Sequence, residues 1–410
     1  MVSCMTTYNF DKIINRKGTN CLKYDFAVER GKPADVLPLW VADMDFPVSE
    51  EITKSLHAAV DHGIYGYTQP KDAYYNAVMN WMEKNHNWKT EREWIVKTPG
   101  VVFALGAAVK AFTEPGDAVL IQNPVYYPFT NIIRDNDRKV IDNTLVYEKT
   151  SAQEIDEKVV EKAQYRIDYE DFERKIEQEN VKLFILCNPH NPVGRVWTAE
   201  ELQKLGEICL RHHVIVVSDE IHNDFVYPGY EHTVFANVDP RFAEFTVTCT
   251  APSKTFNLAG LQISNIFIPN EKLRKAFQTE IDKTGYDEPN ALGIVACEAA
   301  YRAGEDWLDQ LREYLLGNLN FLRSYLQEKI PQIHLVEPEG TYLVWLDCSE
   351  LGITGKELDQ FIVDKARLWL DGGSMFGPSG AAFQRVNIAC PQATLELALN
   401  KLKAAVDSLK

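Results

Sequence analysis

A single lysine, Lys254, stands among small and hydroxyl-bearing residues in the segment TCTAPSKTFNLAGLQ at positions 248–262. An isolated lysine most often lies solvated on the surface, but two other segments favour a chemical role. VIVVSDEIH ends a hydrophobic run on Asp219, and a buried carboxylate requires a cationic or hydrogen-bonding partner. CNPHNPVG places Asn188 and Asn191 in a loop whose path the prolines fix, so that their amides can be aimed at a ligand.

Two more segments could hold an anion and a flat ring. In TPGVVFALGAAVKAF a helical pattern follows the glycine, so the free amides of Gly100, Val101 and Val102 and the helix dipole form an anion site that suits a phosphate. In NPVYY, Tyr126 follows a predicted strand, where its ring can stack on a flat ligand. Together with the lysine, the carboxylate and the asparagine, these features are what pyridoxal 5'-phosphate (PLP) requires in order to be held and made reactive.

The elements that must position these residues are predicted between residues 95 and 265, where short apolar runs alternate with longer amphipathic ones. This pattern is typical of a mainly parallel sheet flanked by helices. Ligands of open α/β sheets bind beyond the carboxyl ends of the strands, so the residues that follow each strand are expected to meet at one edge. The strands are predicted at residues 118–121, 183–186, 214–217 and 245–248.

After about residue 290 the pattern changes to long helical stretches and then to alternating runs such as TYLVWLD. This change predicts a smaller α+β domain at residues 291–410. Residues 46–290 are predicted to form a large cofactor-binding domain, and residues 1–45 an N-terminal segment that packs with the small domain.

The composition excludes several classes of protein. The formal net charge of −16 over 410 residues argues against nucleic acid, whose binding depends on clustered cations. No apolar run approaches the roughly 18 residues that a membrane span requires. The eight cysteines show no CxxC spacing and the nine histidines no ligand spacing, so neither disulfides nor a metal is expected. We expect a cytoplasmic protein that acts on a small molecule.

Several motifs resemble those of a known family. SDEIHNDF, APSKTFNLAGLQ and NPHNPVG resemble the signatures of fold-type I PLP enzymes of the aspartate aminotransferase superfamily. LPLWVADMDFP, NPHNPVGRVW and GGSMFGPSG with FQRVNIACP resemble the cystathionine β-lyases of the MalY/PatB type, which are carbon–sulfur lyases. The resemblance extends from about Leu37 to Pro391. It implies an α/β fold of the fold-type I PLP-transferase kind, with a mainly parallel central sheet in the large domain.

The resemblance also implies roles for the cofactor-binding residues. Lys254 would form the Schiff base with the cofactor aldehyde, and Asp219 would pair with the pyridine nitrogen. Asn191 is expected at the 3'-oxygen, and Tyr126 over the ring. The phosphate ligands implied are the amides of Gly100, Val101 and Val102, the hydroxyl of Ser253, and Tyr65 of the partner subunit. This last residue implies a homodimer with shared active sites.

On the substrate side, the resemblance assigns the carboxylate clamp to Arg385, whose planar guanidinium can donate two parallel hydrogen bonds. The segment WVADMDF at positions 40–46, with Ala42, is expected to line the substrate side of the pocket, and Tyr127 is expected to contact the substrate. The two aspartates of this segment could equally be loop-capping groups.

Two positions depart from the wider superfamily. Many aminotransferases carry an arginine eight residues after the lysine, where it reaches the phosphate, and this chain has Gln262 there. Many also carry a tyrosine three residues after the aspartate, and this chain has His222 there. The histidine is expected to be either a hydrogen-bonding group beside the ring or a satisfied buried histidine.

The expected activity is β-elimination from L-cystathionine or related cysteine S-conjugates, giving pyruvate, ammonia and a thiol, either homocysteine or hydrogen sulfide. An aminotransferase on the same framework is the alternative, because both reactions begin with proton removal at Cα. A protein of this fold with a regulatory binding role is the second alternative.

Overall fold

The computed structural model describes residues 7–155 and 158–409, and their side chains outside residues 149–162. The helices are α1 Leu22–Asp25, α2 Glu50–His62, α3 Asp72–His86, α4 Val101–Phe112, α5 Pro128–Asp135, α6 Tyr169–Glu179, α7 Ala199–Arg211, α8 Phe235–Val238, α9 Pro252–Thr255, α10 Glu271–Asp282, α11 Ala291–Ala303, α12 Glu305–Lys329, α13 Gly355–Asp364 and α14 Gln392–Asp407. The strands are β1 Leu37–Pro38, β2 Ile95–Thr98, β3 Ala118–Ile121, β4 Lys139–Asp142, β5 Val146–Ile155, β6 Lys158–Arg166, β7 Leu183–Cys187, β8 Ile215–Asp219, β9 Thr246–Thr250, β10 Ser264–Phe267, β11 His334–Val336, β12 Leu343–Asp347, β13 Leu368–Trp369, β14 Asp371–Gly372 and β15 Phe383–Asn387.

The large sheet has seven strands in the order β2-β10-β9-β8-β7-β3-β4, and only β10 runs against the others. Its strands are buried on both faces because helices cover each side. In β7, Phe184 and Leu186 pack into one hydrophobic layer, and Leu183 and Ile185 pack into the other. This alternation follows from the two-residue period of a strand. A central parallel strand that is buried on both faces therefore requires a continuous apolar run. The seven-stranded, mainly parallel sheet confirms the predicted α/β fold.

The predicted strand positions agree with the structure within one or two residues. The run at 118–121 is β3 without change, whereas β7, β8 and β9 each extend to the polar residue that follows the apolar run. These extensions place Asp219 on the last position of β8. A predicted functional residue therefore lies within a strand and not only in the loop that follows it.

The second sheet is antiparallel, with four strands in the order β11-β12-β15-β14. The N-terminal segment joins this region, because β1 pairs with β13 and Asn387 of β15 donates hydrogen bonds to the carbonyl oxygens of Val41 and Asp43. Helix α11, however, packs against α2 and α3. The division into three segments with a boundary at residue 290 stays a prediction.

None of the helices that the structure describes has the length and the apolar character that a membrane crossing needs.

Candidate active site

A cavity of about 180 Å³ opens at the carboxyl ends of the parallel strands. It brings together most of the residues that the sequence predicted for one site, which are Ala42, Gly100, Val101, Val102, Tyr126, Asn191, Asp219, His222, Ser253 and Lys254. Sequence reasoning missed five further residues of the wall, which are Pro99, Cys187, Ile221, Ala259 and Ile263. Most of these are apolar, and single apolar residues in loops carry no signal that separates a cavity wall from ordinary core.

The amine of Lys254 lies inside this cavity, one residue before the end of α9. Its Nζ donates a hydrogen bond to the carbonyl oxygen of Ala42 at 3.0 Å. Burial lowers the pKa of Lys254 to about 8, in spite of the opposing attraction of Asp43, and Arg385 lowers it further. A substantial fraction of this amine is therefore neutral near physiological pH, as a nucleophile or base requires.

Asp219 ends β8 with its carboxylate in the same cavity. Its Oδ1 accepts a hydrogen bond from the backbone nitrogen of Ile221 at 3.1 Å. Burial raises the pKa of Asp219 to about 7, and that hydrogen bond offsets only part of the effect. Among the described residues, no lysine, arginine or histidine forms an ion pair with this carboxylate. The site thus holds a buried acceptor that suits a cationic ring nitrogen.

The N-terminus of α4 faces the cavity without a capping side chain. Gly100 is the N-cap residue, and no side chain accepts a hydrogen bond from the first turn. A Cβ on Gly100 would meet nothing within 4 Å, so the space in front of these amides is open. Because the first amides of a helix have no partner within the helix, they can bind an anion here. Ser253 lines the same cavity and adds a hydroxyl.

His222 is buried in the cavity wall, and its Nδ1 has no hydrogen-bond partner among the described residues. Burial holds the pKa of His222 well below its usual range, and the charges of Lys254 and Arg385 act in the same direction. The unpartnered Nδ1 favours the interpretation of this histidine as a hydrogen-bonding group beside a ring, and its role stays a prediction.

Arg385 lies just behind the cavity, with 3% of its surface exposed. Its Nη1 donates to Oδ1 of Asn191 at 3.0 Å, and its Nη2 donates to the carbonyl oxygen of Trp40 at 2.9 Å and to the carboxylate of Asp371. Sequence reasoning missed Asp371. Only the antiparallel register of β14 and β15, which places Asp371 opposite Arg385, brings the two together.

The segment 40–46 crosses the cavity, and side chains of the site hold its backbone. The hydroxyl of Tyr342 donates to the carbonyl oxygen of Ala42 at 2.9 Å, so it shares this acceptor with Lys254. Asn257 donates to the carbonyl oxygens of Met44 and Phe46 at 3.0 Å each. Neither Tyr342 nor Asn257 was predicted, because their roles depend on contacts with a distant segment.

The two aspartates of this segment bind N-terminal side chains. Asp43 accepts a hydrogen bond from Arg16 at 2.5 Å. Asp45 binds Arg16 at 2.7 Å, Lys23 at 3.0 Å and Tyr24 at 2.9 Å. Asp45 therefore anchors the segment to the N-terminal residues, whereas Asp43 also lies close enough to Lys254 to influence its pKa.

Besides Arg385, three positions singled out in the sequence lie outside this cavity. Tyr65 is 61% exposed on a loop of the surface. Tyr127 lines a neighbouring cavity instead. Gln262 is exposed at the end of a short 3-10 turn, with a left-handed backbone (φ 51°), and it does not line the cavity wall.

The fold and this arrangement define a class of protein: the chain belongs to the aminotransferase class I and II family, whose model matches residues 34–402. Within that family the chain is similar to carbon–sulfur lyases. It is 46% identical to cystathionine β-lyase PatB of Bacillus subtilis (strain 168), over 97% of this chain and 100% of PatB. It is 30% identical to protein MalY of Escherichia coli (strain K12), over 98% of this chain and 100% of MalY.

Solved structures agree with this grouping. Cystalysin from Treponema denticola, which contains a pyridoxal 5'-phosphate cofactor, matches with a TM-score of 0.91 and 38% identity, over 99% of this chain and 100% of cystalysin. The PLP-bound C-S lyase from Staphylococcus hominis matches with a TM-score of 0.89 and 33% identity, over 98% of each chain. The resemblance that the motifs predicted is confirmed.

Proposed function

We propose that this chain is a PLP-dependent carbon–sulfur lyase that releases pyruvate, ammonia and a thiol from L-cystathionine or related cysteine S-conjugates. The observation that carries the proposal is the buried amine of Lys254, which shares one cavity with the carboxylate of Asp219, for which the described part of the chain supplies no ion-pair partner. The similarity over the full length to a cystathionine β-lyase supports the same activity.

The residues present fit PLP. Asp219 would hold the pyridine nitrogen, and the uncapped amides of α4 with Ser253 would hold the phosphate. Asn191 and His222 line the same cavity and would act as hydrogen-bonding groups beside the ring, and Tyr126 would cover one face. When bound, PLP supplies an electron sink for the charge that develops at Cα of an amino acid.

The protein's own part in the reaction begins with binding. Arg385 would hold the substrate α-carboxylate with two hydrogen bonds, and its contact with Asn191 fixes the plane of the guanidinium. Lys254 then takes the proton from Cα, for which an amine with a pKa of about 8 is well matched to neutral pH. Ile221, Ala259 and Ile263 give the cavity an apolar wall.

The pKa of Lys254 predicts how cofactor attachment depends on pH. Only the neutral amine can attack the cofactor aldehyde, and the neutral fraction rises as pH increases through about 8. The rate at which cofactor-free protein becomes linked to PLP should therefore rise from pH 6 to about pH 9 and level off above it. Stopped-flow recording of the visible absorbance of the lysine-bound cofactor measures this rate. A rate that continues to rise tenfold per pH unit up to pH 10 would contradict the lowered pKa, because an unshifted lysine behaves in that way.

We also propose a homodimer in which Tyr65 serves the active site of the partner subunit. A surface loop carries Ile64, Tyr65 and Tyr67 with 71%, 61% and 94% exposure, and Val102 at the cavity rim is 44% exposed. Large apolar and aromatic side chains at such exposure favour an interface with a second copy.

The seven described cysteines are all free, which supports a reducing, cytoplasmic location.

Mixing two inactive variants tests the shared site. Tyr65→Ala and Lys254→Ala chains are each expected to have low activity, and co-refolding them should raise activity above that of either parent. In a mixed dimer, one site would combine an intact lysine from one chain with an intact tyrosine from the other. Mixtures that never exceed the better parent would show that Tyr65 does not act across subunits.

A substrate panel without any keto-acid acceptor tests the proposed activity. S-substituted cysteines should yield pyruvate and free thiol in equal amounts, measured by coupled reduction of pyruvate and by thiol titration. Amino acids without a leaving group on Cβ should yield neither. A panel that gives no pyruvate from any S-substituted cysteine would overturn the lyase proposal.

A further inference from the structure

A buried carboxylate, Asp224, lies behind the candidate active site and takes no part in the functions assigned above. It is 2% exposed and does not line the cavity, although it lies only five residues after Asp219. Burial alone would raise the pKa of Asp224, but the hydrogen bond and charge of His86, the hydroxyl of Thr255 and the charge of Arg312 hold this pKa below its ordinary value. A buried charge costs free energy unless it is well paired, so the contacts of Asp224 indicate what it stabilises.

Donors from two helices hold the carboxylate of Asp224 in one orientation. Its Oδ2 accepts a hydrogen bond from the hydroxyl of Thr255 of α9 at 2.6 Å. Its Oδ1 accepts from Nε1 of Trp81 at 3.0 Å and lies 3.0 Å from Nε2 of His86, and both of these residues belong to α3. In addition, Nε of Arg312 donates to the backbone carbonyl oxygen of Asp224 at 2.8 Å. Both the side chain and the backbone of this aspartate are therefore fixed.

Thr255 directly follows Lys254 in α9, and it is fully buried outside the cavity. Helix α9 has only four residues, Pro252–Thr255, and so short a helix has little stability of its own. Its position must depend on side-chain contacts. On the cavity side, Lys254 donates to the carbonyl oxygen of Ala42. Outside the cavity, Thr255 binds Asp224, and this contact remains when Lys254 moves to react.

The same hydrogen bond connects the two segments that carry the predicted catalytic groups. Asp224 belongs to the turn that follows Asp219, and two backbone hydrogen bonds of 3.0 and 2.9 Å hold residues 220–225 of this turn together. The contact between Asp224 and Thr255 therefore joins the turn after Asp219 to the helix that carries Lys254. It is a side-chain link between these segments beyond the ends of their strands.

We propose that Asp224 is a positioning residue that acts through the hydroxyl of Thr255 to fix α9, and with it the amine of Lys254, relative to the cofactor site. Lys254 has to meet the cofactor aldehyde and then the proton on Cα of the substrate. A displacement of about 1 Å at such a group can cost about 10²-fold in rate. The role in proton removal rests on the proposed lyase function, whereas the role in cofactor attachment does not depend on which reaction follows.

Thr255→Val tests the proposal because it keeps the shape of the side chain and removes the hydroxyl. For pyruvate formation from L-cystathionine, kcat should fall by roughly tenfold and KM should stay within about twofold, since the substrate contacts are intact. The rate at which PLP attaches to the cofactor-free protein at pH 8, recorded by stopped-flow absorbance, should also fall by roughly tenfold. Thr255→Ser, which keeps the hydroxyl, should restore both rates to within about threefold of the unmutated protein.

Thr246→Val is the matched control. Thr246 is a buried threonine at the start of β9, and its hydroxyl donates to the carbonyl oxygen of Phe242 at 2.6 Å. This variant should lower the melting temperature of the cofactor-free protein about as much as Thr255→Val does, because each loses one buried hydrogen bond. Both rates should nevertheless stay within about twofold of the unmutated protein, so the control separates positioning from stability.

Asp224→Asn breaks the network from the other side and should cause the same losses in both rates. The double variant with Thr255→Val should lose little more than the worse single variant, because both changes break one hydrogen bond. If Thr255→Val does not fold, Asp224→Asn decides with the same two rates.

The outcomes separate the positioning role from the lyase function. A folded Thr255→Val protein that keeps both rates within about twofold would overturn the positioning role. Equal losses in Thr255→Ser and Thr255→Val would also overturn it, because the effect would then come from packing and not from the hydroxyl. An unmutated protein that gives no pyruvate would overturn the lyase function, and the rate of PLP attachment would still test the positioning role.

Discussion

Replacing Lys254 with alanine is expected to lower the rate of pyruvate formation from L-cystathionine by at least about 10³-fold, because the variant loses both the covalent anchor and the base. The side chain is buried in the cavity and its amine lies 3.0 Å from the carbonyl oxygen of Ala42. Among the described residues, no other lysine lines the cavity, so none can replace Lys254. Steady-state pyruvate assays with saturating PLP measure the loss.

Lys272→Ala is the matched control, since Lys272 is an exposed lysine of α10. This variant should keep the activity of the unmutated protein. Thermal unfolding of both variants shows whether the loss at Lys254 comes from chemistry or from misfolding. A folded Lys254→Ala protein that keeps activity within tenfold would refute the assignment.

Asp219→Asn should have opposite effects on catalysis and on stability. The amide keeps the size of the side chain but removes the charge that would hold the ring nitrogen protonated, so kcat should fall by at least about 10²-fold. Burial without an ion-pair partner raises the pKa of Asp219 from 3.8 to about 7, so ionising this residue costs free energy of folding. The variant should therefore stabilise the cofactor-free protein.

The size of this stabilisation depends on pH. Between pH 4 and pH 7 the folded protein binds a proton at Asp219 that the unfolded chain releases, so the contribution of Asp219 to the free energy of unfolding decreases as pH rises through about 7. Between pH 5 and pH 7.5 this loss amounts to roughly 2–3 kcal/mol, and Asp219→Asn should remove it.

Urea unfolding of both cofactor-free proteins at the two pH values measures the difference. Asp364→Asn, at an exposed aspartate of α13, is the matched control and should change neither kcat nor this pH dependence. An Asp219→Asn protein that is less stable than the unmutated one at pH 7.5 would contradict this explanation of the raised pKa.

The sequence predicted the location of a site residue where that residue lies at or just after the end of a single strand. Asp219 lies at the end of one strand, and Lys254 lies just after the end of another. Because the carboxyl ends of parallel strands lie at one edge of the sheet, these two residues are brought together whatever conformation the loops adopt. The helix that follows Gly100 has a strong pattern and a clear start, so its uncapped N-terminus was also predictable. In each case a local pattern was enough to place the residue.

Residues whose roles depend on long-range contacts could not be found in this way. Asp371 meets Arg385 only through the register of two short antiparallel strands. Tyr342 reaches the carbonyl oxygen of Ala42 from 300 positions away. Tyr126 and Tyr127 have ring centroids 5.4 Å apart but line different cavities, a difference that the sequence does not show, and the contact of Tyr127 with the substrate stays a prediction.

The most direct test of the account counts the products formed per active site when L-cystathionine is supplied to the PLP-loaded protein without a keto-acid acceptor. A carbon–sulfur lyase regenerates its cofactor in every cycle, so pyruvate and homocysteine should accumulate together over many turnovers. A protein that stops after one equivalent per site and yields the keto acid of cystathionine would be an aminotransferase. That result would contradict the central claim.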